Sequence, residues 1–533
     1  MANAPGRFGL GRRRFLGRGF WISLQLLAVL LLLVAGALLY LGIPRNAAGM
    51  AAKSICSAAF VAGRPWENLM AQDVLPASPV LRLINIEVDA SARSVTAKFA
   101  GLFPRQAMLL PDRGCVLDVG VVLPHPAQRV PPPPPASSAQ FAQSAQSQPS
   151  ASPATARASD PWPMGDVPLA ASDWGPGVDA PALQKVIDQA FVGAGNPAAA
   201  NARGVAVIHK GRLLVLQMAP GFSPQTPLHG WSMAKTVTGM LVHTLAADKS
   251  TTNTLANGSP LPLAANVVNA FPKDREPAWL AAWRADARKA IKVSDLLYMR
   301  DGLASTEDYQ PWGSVPQMLW GQPDAAAFAA LSPAEAAPGT RWRYLSQSAN
   351  LLSAVARGRF ANDADYWAYP GKALFNPIGA TTAVMETDTD GNWVGSSYVW
   401  ASVGDWGRLG QLMLNDGLWA GKQVLPPGWL KRAATQSTPD GEGRAYGAQT
   451  WRIGDPQAGR CKQGDRGTGK EMAKAVGARS VPADTLAMSG HWGQIVAMVP
   501  SREAVIVRMG WTFKRDQFDD CGFVADVLKA LPQ

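Results

Sequence analysis

Residues 230–245 read GWSMAKTVTGMLVHTL, and how this stretch folds decides how the rest of the chain is read. Val237, Met240, Leu241 and Leu245 recur at helical spacing, which predicts a helix starting near Trp231. Residues three apart on a helix share a face, so the Ser232 hydroxyl and the Lys235 amine are expected to be neighbours. They fall in the first turn, where unpaired N–H groups and the positive dipole end favour a developing anion. A serine at a helix start is also a common N-cap. The flanking chain has to decide between a cap and a nucleophile.

Upstream, RGVAVIHKGRLLVLQMAPGF (203–222) reads as two β-rich runs around Lys210-Gly211. Downstream, GQIVAMVPSREAVIVRMGW (493–511) gives two more strands around PSRE. Helical patterns lie between or beside them, in ALQKVIDQAF, KVSDLLYM, SANLLSAVARGRF and VGDWGRLGQLML. Strands at both ends and helices in the middle predict an α+β unit, an antiparallel sheet flanked by helices with a helical subdomain to one side.

The chain has 533 residues, 47% of them hydrophobic, enough for a large core and two or three structural units. Its formal charge of +11 is concentrated: residues 1–45 hold six arginines and no acid. The remaining excess is ordinary for a solvated surface, so no nucleic-acid partner is expected. Arg7, Arg12, Arg13, Arg14 and Arg18 precede an uncharged apolar stretch, which predicts a basic cytoplasmic tail (1–19) and a transmembrane anchor (20–43). A cleaved export signal is the competing reading. With the anchor kept, a single-pass protein of the bacterial inner membrane is expected, its N-terminal helix the membrane contact and its catalytic domain in the periplasm; with the signal cleaved, a secreted protein is expected.

Residues 44–125 carry alternating runs such as LRLINIEVDA and RSVTAKFA, a small strand-rich unit. Residues 126–161 are rich in Pro, Ser and Gln and read as a linker. Residues 162–533 are long enough for a complete enzyme. Four cysteines in an exported chain suggest bridges, with three possible pairings. Pairing by neighbourhood, Cys56 with Cys115 and Cys461 with Cys521, keeps each bridge within one unit. The cysteine spacing fits no zinc pattern, so neither a metal nor another cofactor is expected.

With these runs in place, SMAK resembles the S-x-x-K box of the serine β-lactamase and penicillin-binding-protein superfamily. The surroundings are most similar to its class C branch, with the 6-aminohexanoate-dimer hydrolases and family VIII esterases. IKVSDLLYMRDGL (291–303) resembles that branch's helix and turn, with Asp301 where serine is usual. PGTRWRYLSQSANLL (338–352) resembles the stretch bearing the Tyr-x-Asn box, and SGHWGQIVAMVPSREAVIVRMGW resembles the last box and its two strands. The resemblance covers about residues 180–530 and implies the β-lactamase/DD-peptidase fold.

It also implies roles. Ser232 is the expected nucleophile, which needs a group to take its proton. Lys235 and Tyr344 are the expected activating pair, with Tyr344 as general base passing the proton to the leaving group. The backbone N–H groups of Ser232 and Gln494 are the expected oxyanion hole. Two departures stand out. The second box is Tyr344-Leu345-Ser346, with a hydroxyl in place of the amide, and the last is His491-Trp492-Gly493 in place of K-T-G. Ser346, His491, Trp492 and Gly493 are expected at the substrate, Gly493 by allowing close backbone approach. Histidine has an unperturbed pKa of about 6.5 and offers less fixed positive charge than lysine. A membrane-anchored hydrolase of small or peptide-like amides or esters is therefore expected, acting through an acyl-serine. A β-lactamase or DD-peptidase is the runner-up, and a catalytically silent cell-wall binding module is the alternative of another class.

Overall fold

Gly42 and Pro44 govern how the N-terminus folds. The computed structural model describes residues 18–119, 160–247 (apart from 194 and 196), 262–461 (apart from 440 and 459) and 481–532 (apart from 515 and 516). Helix α1 spans Arg18–Tyr40, and its large side chains Trp21, Leu26 and Leu33 are exposed. Gly42 then takes a left-handed φ of 69°, and Pro44 sits in the first turn of helix α2 (Ile43–Cys56), a position that proline tolerates.

The transmembrane anchor expected over 20–43 is not supported. Among the described residues no helix is long and apolar enough to cross a membrane. Ile43, at the end of the expected span, is buried in the folded body. The basic tail lies outside the described residues, and so does the expected linker apart from its last two residues.

Four antiparallel strands follow α2 in simple order: β1 (Ile84–Asp89), β2 (Ser94–Phe99), β3 (Leu102–Leu110) and β4 (Gly114–Asp118). The alanine-rich α2 packs on this sheet with Ala48, Ala51, Ala52 and Ile55 fully buried. Small side chains let the helix axis approach closely, and a disulfide from Cys56 to Cys115 ties its end to β4. A four-stranded sheet with one helix buries little surface alone, and this unit is completed by the larger one. Glu386, fully buried, accepts from Lys53 Nζ (2.9 Å), Ser57 Oγ (2.9 Å), the Cys115 backbone N–H (2.8 Å) and Trp400 Nε1 (3.1 Å). Burial lowers the Lys53 pKa, and the Glu386 charge partly offsets that. A second buried ion cluster joins Asp73 to Arg64 and Arg203.

The larger unit begins with helix α3 (Ala180–Val192), whose N-cap Asp179 accepts from the Ala182 N–H at 3.0 Å. Strands β5 (Ala202–His209) and β6 (Arg212–Met218) form a hairpin. After helices α4 (Met233–Ala247), α5 (Ser346–Arg357) and α6 (Val403–Leu414), the chain returns in β7 (Leu486–Gly490), β8 (Gln494–Val499) and β9 (Ala504–Gly510). Helix α7 (Asp520–Ala530) closes the unit, and Cys521 in it is bridged to Cys461.

The sheet order is β7-β8-β9-β5-β6, antiparallel throughout, so the C-terminal strands pair with the N-terminal hairpin. Strand β9 alternates two-sidedly because both faces are covered. Val505 and Val507 face the main core with α6, while Ile506 packs with Leu183, Ile187 and Val524 of α3 and α7. This gives the expected α+β layers, with α4 and α5 in the helical block on the α6 side.

Candidate active site

Trp231 sets the nucleophile in place. It adopts φ 49°, a conformation costly for a bulky residue at about 1–3 kcal/mol. It is held by packing against the rings of His229 (4.3 Å) and Trp492 (5.0 Å). The resulting turn carries the chain from the short strand Leu228–His229 into α4, with Ser232 immediately before the first helical residue. Lys235, one turn on, is buried and donates to Ser232 Oγ at 2.9 Å.

Lys235 is gripped from three further sides. Its Nζ donates to Ser346 Oγ (2.9 Å) and to the Ser396 carbonyl (3.0 Å), and lies 3.8 Å from Glu307. Burial pushes its pKa down to about 8, with the Glu307 carboxylate opposing. At neutral pH a usable fraction is therefore neutral amine, able to take a proton.

Tyr344 places its ring 4.9 Å from Lys235 Nζ, stacks on Trp451 at 4.9 Å, and its hydroxyl is in hydrogen-bond contact with Ser232. Burial first, then the Glu307 charge, pushes its pKa up. A phenol so placed stays protonated.

Ser346 was expected at the substrate, and the structure places it between Lys235 and Glu307. It is fully buried, with its Oγ donating to Glu307 Oε1 at 2.7 Å and its N–H to Glu307 Oε2 at 2.6 Å. It links Lys235 to Glu307. Asn350, in the next turn, accepts from the Ser396 N–H at 3.1 Å and so helps hold the carbonyl that grips Lys235. Asp301 is buried, accepting from Ser348 Oγ (2.6 Å) and the Leu303 N–H (3.0 Å), and burial raises its pKa.

The β7–β8 turn reaches the nucleophile through a glycine contact. Gly490 pairs with Gln494, and a Cβ on Gly490 would stand 2.2 Å from the Gly230 carbonyl oxygen. That approach brings the first residue of β8 beside the Ser232 turn. The Gln494 side chain is locked, its Oε1 accepting from the Gly510 N–H at 2.9 Å and its Nε2 donating to the His491 carbonyl at 3.1 Å. Gly493 has φ 84°, and a Cβ there would meet Arg508 Nη1 at 2.7 Å. The glycine there serves the turn and the Arg508 contact. His491 stacks on Tyr309, centroids 4.5 Å apart and planes at 6°, and Trp492 packs beside it at 4.6 Å.

Glu307 and Tyr309 escaped the sequence reading. Tyr309 contacts both Ser232 and Glu307, and burial pushes its hydroxyl pKa well up. Both come from a non-periodic loop, where spacing carries no signal. Of the other histidines, His229 stacks on Trp400 at 4.7 Å and meets the Ser397 carbonyl through Nε2 at 2.8 Å; burial pushes it down to about 3. His243 meets the Pro426 carbonyl at 3.0 Å, and His125 lies outside the described residues.

A family model described as Beta-lactamase matches residues 183–528. No curated protein sequence matches the chain. Among solved structures, the chain is similar to a Bacillus anthracis protein proposed to be a 6-aminohexanoate-dimer hydrolase. That match has 17% identity, 62% of this chain, 81% of that one and a TM-score of 0.44. It is also similar to a penicillin-binding-protein homologue from Caulobacter crescentus (14%, 66% and 95%, 0.43). A family VIII carboxylesterase gives 12% identity, 67% and 97% coverage and a TM-score of 0.45. The family match encloses the sheet, the S-x-x-K turn and the β7–β8 turn that meet around Ser232, and on it the chain belongs to the Beta-lactamase family as a serine hydrolase.

Proposed function

We propose that this protein is an exported hydrolase cleaving an amide or ester through an acyl-Ser232 intermediate. The observation that carries the reading is the 2.9 Å contact of Lys235 Nζ with Ser232 Oγ, with the amine pushed down to about 8. Neutral Lys235 takes the Ser232 proton as Oγ attacks the carbonyl carbon. The backbone N–H groups of Ser232 and Gln494 receive the oxyanion. The Tyr344 hydroxyl, in contact with Ser232, passes a proton to the leaving amine or alcohol and is refilled from Lys235. Water then attacks the acyl-enzyme, its proton leaves by the same route, and Ser232 is regenerated.

Esters and short amides are the proposed substrates over β-lactams, because histidine and tryptophan replace the usual box lysine and threonine. Two disulfides support an oxidising compartment, and the periplasm is the proposed one. Intact mass after treatment with a fluorophosphonate, and separately with a penicillin, tests the reading. A fluorophosphonate adduct on Ser232 without penicillin turnover is expected. Rapid cephalosporin hydrolysis would move the substrate to β-lactams, and no adduct at all would favour the silent binding module.

A further inference from the structure

A cavity of about 300 Å³ opens beside the nucleophile, and the N-terminal unit forms one side of it. Ala47 and Met50 of α2, with Leu81 from the segment before β1, face Trp231, Tyr309 and His491 across it. Tyr309, on the cavity wall, also contacts Ser232, and Trp231 on the same wall is its neighbour in the chain. None of the described residues lining it is Lys, Arg, Asp or Glu. Its polar groups include the amides of Asn46 and Gln310, the Ser78 and Tyr309 hydroxyls and the His491 ring. A charged group placed there would lose hydration and meet no Lys, Arg, Asp or Glu among the described lining residues, whereas an apolar chain would gain by burial.

The N-terminal wall is built in rather than poised to move. The Cys56–Cys115 disulfide and the buried Lys53–Glu386 pair anchor the C-terminal end of α2. Asn46 donates from Nδ2 to the Pro311 carbonyl at 3.4 Å, joining the helix to the opposite rim.

We propose that the N-terminal unit is a specificity element: with the aromatic residues around Ser232 it forms a subsite for an uncharged, apolar chain borne by the scissile ester or amide. The inference rests on the serine-hydrolase reading above and adds the kind of group beside the scissile bond. The chain can belong to the acyl or the leaving side, and two substrate series separate these. One is p-nitrophenyl acetate, butyrate and hexanoate, and the other is ethyl, butyl and hexyl acetate.

In one of the series kcat/KM of the full-length protein should rise about three- to fourfold per methylene, as expected for burial of a CH₂. Ala47→Trp and Val80→Trp, at two residues that line the cavity from the N-terminal unit, should lower the hexyl-to-ethyl or hexanoate-to-acetate ratio at least about tenfold. Each variant's own short-chain rate is the reference. Flat series in the unmodified protein, or an unchanged ratio in both variants, overturns the subsite. Fluorophosphonate labelling of the same samples separates the two failures. Labelled protein with flat series sinks the subsite alone, and unlabelled protein with no ester hydrolysis sinks the serine-hydrolase reading and the subsite with it.

Discussion

Ser346 Oγ lies 2.9 Å from Lys235 Nζ and 2.7 Å from Glu307 Oε1, so one buried hydroxyl bridges the amine and the carboxylate. This bridge keeps Glu307 near Lys235 without a direct short ion pair, the remaining separation being 3.8 Å. A tighter pair would hold the amine charged. The observed spacing leaves burial as the dominant influence on its pKa.

The pH profile follows from that balance. The reactive form of Lys235 is the neutral amine, which gains population as pH rises through about 8. The kcat/KM for a p-nitrophenyl ester should therefore climb with pH, with one inflection near 8. Glu307→Gln removes the charge that raises the amine's pKa, so the inflection should move down. A shift upward in that variant would contradict the assigned electrostatics.

Ser232→Ala should abolish acylation, with no fluorophosphonate adduct by intact mass. Lys235→Ala and Tyr344→Phe should each lower kcat by roughly two to four orders of magnitude. The double variant should be little worse than the more severe single one, because the groups act as a unit. Near-normal turnover by the Ser232 variant would refute the nucleophile.

Gly490→Ala probes the contact between the β7–β8 turn and the nucleophile turn. Its Cβ would fall 2.2 Å from the Gly230 carbonyl oxygen, against backbone that has no free rotor to swing aside. Stability should drop by about 1–3 kcal/mol. If the turn shifts by about an ångström, kcat should fall about a hundredfold. Denaturant melts and ester kinetics on one preparation read both.

Glu386→Gln leaves Lys53 buried beside a neutral amide. Breaking a buried pair by neutralising one partner costs about 3–5 kcal/mol, so a clear fall in Tm is expected. The Cys56–Cys115 bridge closes a loop of 59 residues and should contribute about 4 kcal/mol in the chain-entropy model. A peptide map under non-reducing conditions should recover both bridges; four free thiols would contradict the described structure.

Much of the fold was legible from periodicity. The runs at 203–218 and 494–510 alternate or stay apolar over strand lengths, and they became neighbouring strands because their Val and Ile side chains need cover on both faces. The N-terminus was read less well. A hydropathy window treats residues 20–43 as one span, whereas Gly42 turns the chain and commits Ile43 to the body.

By itself the sequence determined the meeting of Ser232 with Lys235. Three residues of helix place them on one face whatever else the protein does. It left three cysteine pairings open and favoured the one between chain neighbours, which is the pairing in the structure. Only the tertiary structure decided what surrounds the amine. Ser346 arrives from 111 residues away, and Glu307 and Tyr309 come from a loop with no period to betray them. The same holds for the N-terminal wall of the cavity, where Ala47 and Met50 face Trp231 across almost two hundred residues of chain. Local contacts follow from backbone geometry and can be read along the sequence. Contacts of this range exist only once whole units have packed, and their identity is set by which surfaces fit.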